Sequence, residues 1–242
     1  MSPSRSLQSA AAFVSVLMAA CLCAPLICAA EPEATASFSL IGPITRDASD
    51  SFRKVVATAS PQVRWLVVDS PGGDVEAALD MANLMHAKGI SIYVRGHCAS
   101  SCANYLFIAA RSKVLGPNAI VGWHGSPASE HIAGIDALPA RERVAADAIR
   151  RRLVREEPRL LARVRVDPRL LCAGDRTIAK AGALGWTMPI RAMSKFGVGS
   201  VVSLGEGRNI PSRVPGHDEP FLTLDPNLDC KLTYPNIGPV AY

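Results

Sequence analysis

The turn Ser70-Pro71-Gly72-Gly73 is entered from Val63-Arg64-Trp65-Leu66-Val67-Val68-Asp69 and left through the segment from Val75 to Lys88. The first run is short, apolar and rich in valine, as expected of a strand buried in a sheet. The segment that follows carries Ala78, Leu79, Ala82 and Met85 at helical spacing and is closed by Gly89, a C-terminal cap. The same pattern then recurs. Ile90 to Arg95 reads as a strand, Gly96-His97-Cys98-Ala99-Ser100-Ser101-Cys102 as a turn, Ser100 to Ala110 as a helix, and Ala119 to Trp123 as a further strand. Upstream, Phe38 to Ile41 reads as a strand stopped by Gly42-Pro43, and Asp47 to Ala59 as a helix. Repeated strand–helix–strand crossovers predict an α/β fold with a largely parallel sheet covered by helices.

Composition bounds what such a chain can be. Its 242 residues suffice for one well-packed domain, and 26 basic against 21 acidic residues give a net charge of +5. The charges are interspersed, so no basic tail points to a nucleic-acid partner. Residues 1–30 lack acidic groups, carry Arg5, and run apolar from Ala10 to Ala30, the layout of a secretory signal cleaved near Ala29 or Ala30. An uncleaved membrane anchor over residues 10–30 is the alternative. Lipidation at Cys21 is disfavoured by the apolar residues beyond it. The expected organisation is a signal at 1–30, a catalytic-type domain at 31–190 and a Gly/Pro-rich C-terminal extension at 191–242.

Of seven cysteines, Cys98, Cys102, Cys172 and Cys230 fall in the exported part. Four cysteines in an oxidising compartment predict pairing, and three connectivities are open. No Cys-x-x-Cys and no paired-histidine spacing supports a metal site. Residues 125–138 read as a loop and 139–157 as an arginine-rich helix broken at Pro158. Its Arg150-Arg151-Arg152 cluster reads as a solvated face rather than a nucleic-acid patch, since Glu156 and Glu157 lie close by. Beyond Trp186 the chain turns Gly-, Pro- and polar-rich and is expected either to wrap the domain, tied down by Cys230, or to be partly disordered.

The two turns carry the chemistry. A strand that delivers two glycines into a helix exposes backbone N–H groups able to stabilise a developing oxyanion. Ser100 stands where the second helix begins, either as an N-cap or as a nucleophile with the Ser101 N–H beside it. His124 closes a strand 24 positions later, where a sheet return would bring its imidazole to the helix start.

Ser70-Pro71-Gly72-Gly73, then Gly96-x-x-x-Ser100-x-x-Ala103 opening an alanine-rich helix, then Leu115-x-Pro117-Asn118-Ala119 and a strand ending in His124 closely resemble the Clp-protease proteolytic subunit of the Clp/crotonase superfamily. The resemblance runs from about Phe38 to Pro189, and the Cys98-x-Ser100-x-Cys102 variant behind a signal looks like the exported, periplasmic Clp-like proteins of bacteria. It implies repeated ββα units and a serine peptidase acting on peptides or unfolded segments. Ser100 is then the nucleophile, with Ser101 as the alternative, and His124 the general base. Gly72 and Ser101 supply the oxyanion N–H groups, and Gly73 completes the turn. The family's acid falls nearest to Asp175, with Asp167 as runner-up; if neither reaches His124, a Ser–His dyad remains. Cys98 and Cys102 would staple the nucleophile turn, or pack as small buried residues; a reactive Cys102 thiolate is the weaker alternative.

No cofactor is implied, nor an ATP-driven unfoldase outside the cytoplasm. Homo-oligomerisation is implied through the segment 125–157, which here has an unusual arginine-rich composition. Two other readings stand beside peptidase action: a non-catalytic Clp-like protein that binds an extended chain in the crevice, and acyl-CoA chemistry of the crotonase kind. The Ser–His pair counts against the latter.

Overall fold

A computed structural model describes residues 36–60, 62–128, 139–174, 177, 181, 183–205, 221–224, 230, 232 and 234. The expected signal or anchor at 1–30 and the candidate acid Asp175 lie outside the described residues.

The sequence from Ala36 builds strand by strand. β1 (Ala36–Ile41) leads into α1 (Arg46–Thr58), whose N-cap Thr45 accepts the Ala48 N–H through its hydroxyl. β2 (Val63–Ser70) ends at the glycine turn, and Asp74 then caps α2 (Val75–Lys88) by accepting the Ala77 N–H at 2.8 Å. Gly89 closes α2 in the left-handed conformation at φ 63°. β3 (Ser91–Ala99) is longer than its sequence reading, because its last residues pair with a second neighbour. β4 (Lys113–Leu115) lies along Ile92–Val94, and β5 (Ile120–Gly122) along His97–Ala99.

The main sheet has six strands in the order β1-β2-β3-β4-β7, with β5 also on β3, and every pairing is parallel. β7 (Val201–Ser203) joins the edge at β4, so part of the C-terminal extension is built into the sheet. A second, two-stranded parallel sheet joins β6 (Gly185–Thr187) to β8 (Phe221–Thr223). It meets the first through an antiparallel bridge between Trp123 and Trp186, both fully buried. Leu66, Val68, Ile92 and Val94 point to one face of the sheet. With Ala78, Ala82, Met85, Leu106 and Phe107 from the helices, they form the core. The protein is thus α/β, with a mostly parallel sheet flanked by helices.

Two local readings are corrected. The segment after Ser100 is wound as a π-helix over Cys102–Phe107 rather than a regular α-helix, a geometry that recurs where a functional residue must be re-aimed. The arginine-rich helix does not break at Pro158: α3 runs from Ala140 to Val164 with the proline inside it. Losing one backbone hydrogen bond and accommodating the ring costs about 3 kcal/mol. Buried Leu153 and Val154 before the proline and Leu160 and Leu161 after it hold both halves of the helix on the same core. Among the described residues no helix is long and apolar enough to cross a membrane.

Candidate active site

The glycine turn and the serine turn meet at the carboxyl ends of adjacent strands. Gly72 (φ 95°) and Gly73 (φ 145°) adopt backbone conformations that L side chains rarely occupy. A Cβ on Gly72 would fall 2.6 Å from both the Ala99 carbonyl oxygen and Ser100 Cβ, and 3.0 Å from the Ser101 nitrogen. Only glycine lets the two turns approach this closely.

Ser100 itself has φ 57°, one of three non-glycine residues in the left-handed region among those described. A serine held there, between the end of a strand and the start of a helix, is on a strained elbow that pushes its side chain out of the regular path. Its N–H donates to the Gly122 carbonyl at 2.9 Å, and its own carbonyl accepts the Asn104 N–H at 2.8 Å. The backbone on either side of the elbow is therefore fixed while the hydroxyl is left without a hydrogen-bond partner among the described residues.

Ser101 is held differently. Its buried hydroxyl donates to the Gly73 carbonyl at 2.8 Å and accepts the Gly73 N–H at 2.9 Å, clamping the two turns together. That double bond engages the Ser101 hydroxyl and the Gly73 amide, so neither is free for chemistry. The Gly72 N–H makes one longer bond, 3.2 Å, to Ser70 Oγ, and the Ser101 N–H opens the first helical turn. Of the expected oxyanion donors, the Gly73 N–H is thus taken by Ser101 Oγ, while the Gly72 N–H makes the longer bond.

His124 is tied to the same place from both sides. Two residues before it, Gly122 accepts the Ser100 N–H; one residue before it, Trp123 exchanges backbone hydrogen bonds with Trp186 at 2.8 and 2.7 Å. One residue after it, the Gly125 carbonyl accepts Asn104 Nδ2 at 2.7 Å. The imidazole is exposed and makes no hydrogen bond to Ser100 or to any other described residue. Asp167 is turned elsewhere: it caps the short 3-10 turn Pro168–Leu171 and is paired to Arg169. Asp167 is thus committed to Arg169, and no described carboxylate orients His124.

The cysteines pair as Cys98–Cys102 and Cys172–Cys230. The first bridge, Cα to Cα 5.2 Å, spans the serine elbow itself. Replacing both Cys98 and Cys102 with serine is expected to lower stability by about 2 kcal/mol, the loop-closure value for so short a ring. Urea unfolding would register the change as a lower midpoint, and an unaltered midpoint would show that the helix start holds Ser100 unaided.

Two groupings escaped the sequence reading. Asp69 Oδ1 lies 2.5 Å from His97 Nδ1 and also accepts the His97 N–H, while Arg95 approaches Asp69 Oδ2 at 3.4 Å. Gly96 makes the room, since a Cβ there would sit 2.7 Å from the carboxylate. The signal was an acid and a histidine at matching ends of neighbouring strands.

The second grouping is Glu157, fully buried, whose carboxylate accepts hydroxyls from Tyr105 at 2.7 Å, Ser126 at 3.0 Å and Tyr234 at 2.8 Å. It was visible as one charge on the apolar stripe Leu153, Glu157, Leu160, Leu161, Val164. Arg150 adds a bond to the Pro127 carbonyl at 2.9 Å and Arg152 pairs with Glu76, so two of the clustered arginines are bound within the fold. Glu157 and Arg150 together anchor the chain just beyond His124.

No group of His, Cys, Asp and Glu able to hold a metal ion occurs among the described residues. No protein-family model matches the chain, and no curated protein matches it.

Proposed function

We propose that the chain is a serine hydrolase of the Clp-like type, cleaving peptides or already unfolded protein segments without ATP. The observation that carries this reading is Ser100 in a left-handed elbow, its amide bonded to Gly122 two residues from His124 and its Cβ packed against Gly72. In the reaction, His124 takes the hydroxyl proton as Ser100 Oγ attacks the carbonyl carbon. The N–H groups of Gly72 and Ser101 receive the negative charge on the carbonyl oxygen. His124 then protonates the leaving amine, and water, deprotonated by the same imidazole, releases the acyl group from Ser100. The absence of a bond between Ser100 and His124 fits an unliganded site whose catalytic contacts tighten on substrate. Two disulfides in the domain accord with an oxidising compartment and hence with export.

A fluorophosphonate probe tests the reading. Folded protein is expected to take up one equivalent of label, and peptide mapping to find it on Ser100. Folded protein that takes no label would overturn hydrolysis and leave the crevice as a binding groove for an extended chain; acyl-CoA binding in its place would favour the crotonase reading.

A further inference from the structure

At the opposite end of the sheet from Ser100, where β3 and β4 begin, lies a cavity of about 350 Å3. From Ile92 to Ala99 along β3, the two ends are separated by roughly 25 Å of strand, so this is a place apart from the elbow. Its apolar side chains are Ile108, Ala109 and Val164, and its polar groups are His86, Arg111, Lys113 and Ser200. Among the described residues no carboxylate lines it. Lys113 is only 5 % exposed, while His86 and Arg111 are exposed, so the ammonium lies deep and the other two lie toward solvent.

Helix ends account for part of this charge and not for the rest. α2 and α3 both end at the cavity, and two carbonyls in the last turn of each are already used. Gly89 N–H takes those of Met85 and His86, and Arg165 N–H those of Leu161 and Ala162. Lys113 Nζ donates one bond, to the Ala110 carbonyl at 2.8 Å. An ammonium has three N–H donors, so two have no partner among the described residues. Lys113, Arg111 and His86 form no ion pair among the described residues. Burying an ammonium with so few partners is costly, and burial alone lowers Lys113 to about 8. Ser200, whose carbonyl accepts the Lys113 N–H, is held at φ 55°, a strained residue on the rim. The volume is that of a small-ligand site, at the lower end near roughly 300 Å3.

We propose that this cavity binds a small oxyanion, a carboxylate or a phosphoryl group, seated on the unused N–H groups of Lys113 with Arg111 at its mouth. The anion supplies the acceptors that Lys113 lacks, and the volume of about 350 Å3 limits it to a compact ligand.

Calorimetric titration of the whole protein with inorganic phosphate and, separately, with acetate, at constant ionic strength, tests this. One saturable site is expected, weakened at least tenfold by Arg111→Ala and abolished by Lys113→Met. Tighter binding of phosphate assigns a phosphoryl ligand, and tighter binding of acetate a carboxylate. Arg111 is exposed, so its variant keeps the test decisive should Lys113→Met fail to fold. Absence of saturable binding of either anion at millimolar concentration would overturn the proposal, as would affinity unchanged in Arg111→Ala.

Discussion

Ser100→Ala is expected to abolish fluorophosphonate labelling and to lower hydrolysis of an unfolded, fluorescently labelled polypeptide by roughly 10^4-fold or more, the scale on which removing a serine nucleophile acts. The fold should survive, because the Ser100 hydroxyl makes no hydrogen bond among the described residues and both backbone bonds of the elbow remain. Ser101→Ala should behave in the opposite way. It removes the clamp between the Ser101 hydroxyl and Gly73, lowering stability while leaving Ser100 able to react. Labelling lost in Ser101→Ala but kept in Ser100→Ala would exchange the two serines' roles. The base is separable too: His124→Ala should slow labelling, whereas His97→Ala, which breaks the Asp69 pair, should not. The reverse pattern would move the base onto the strand that delivers the elbow.

Glu157→Ala is expected to destabilise the domain by about 3 to 5 kcal/mol, since it deletes the acceptor at the centre of a buried hydroxyl network. Glu157→Gln keeps the shape and most of the bonding and should cost less. The pair separates charge from packing through pH. Burial raises the Glu157 carboxyl above its ordinary 4.5, outweighing the three hydroxyls from Tyr105, Tyr234 and Ser126 that act to lower it. The folded protein therefore holds this proton more tightly than the unfolded chain. Stability from this group is present in full below pH 4.5 and is lost as pH rises from there through the raised folded value. Urea midpoints of the native protein should carry that decline, and Glu157→Gln should lack it; a decline that persists in the variant would place its origin elsewhere. Tyr105 shifts in the matching sense, pushed well up by burial and by the neighbouring Glu157.

Local signals made much of the frame readable. α2 and its C-terminal cap follow from apolar spacing and Gly89, all within or next to the helix they define. Ser100, His124 and the two glycines stood out because short turns encode them. β4, β6, β7 and β8 are three-residue strands, too short for a periodicity and defined only by their partners. Pro158 misled for a related reason: local backbone chemistry predicts a break, and the buried leucines on either side override it. The Asp69–His97 pair requires the register of β2 against β3. Tyr234 and Glu157 are 77 residues apart, and the connectivity of the cysteines likewise depends on the folded path rather than on spacing.

The same long-range closures set an order on assembly. Cys230 bonds back to Cys172 across 58 residues, and Tyr234 donates to Glu157, which also holds Ser126 just beyond His124. β1 to β5 and the serine elbow are complete in sequence by Gly122, whereas the last hydroxyl on Glu157 arrives only with Tyr234. The elbow can thus form well before its proposed base is fully secured, so the chain's late residues delay completion of the site until the domain is nearly whole.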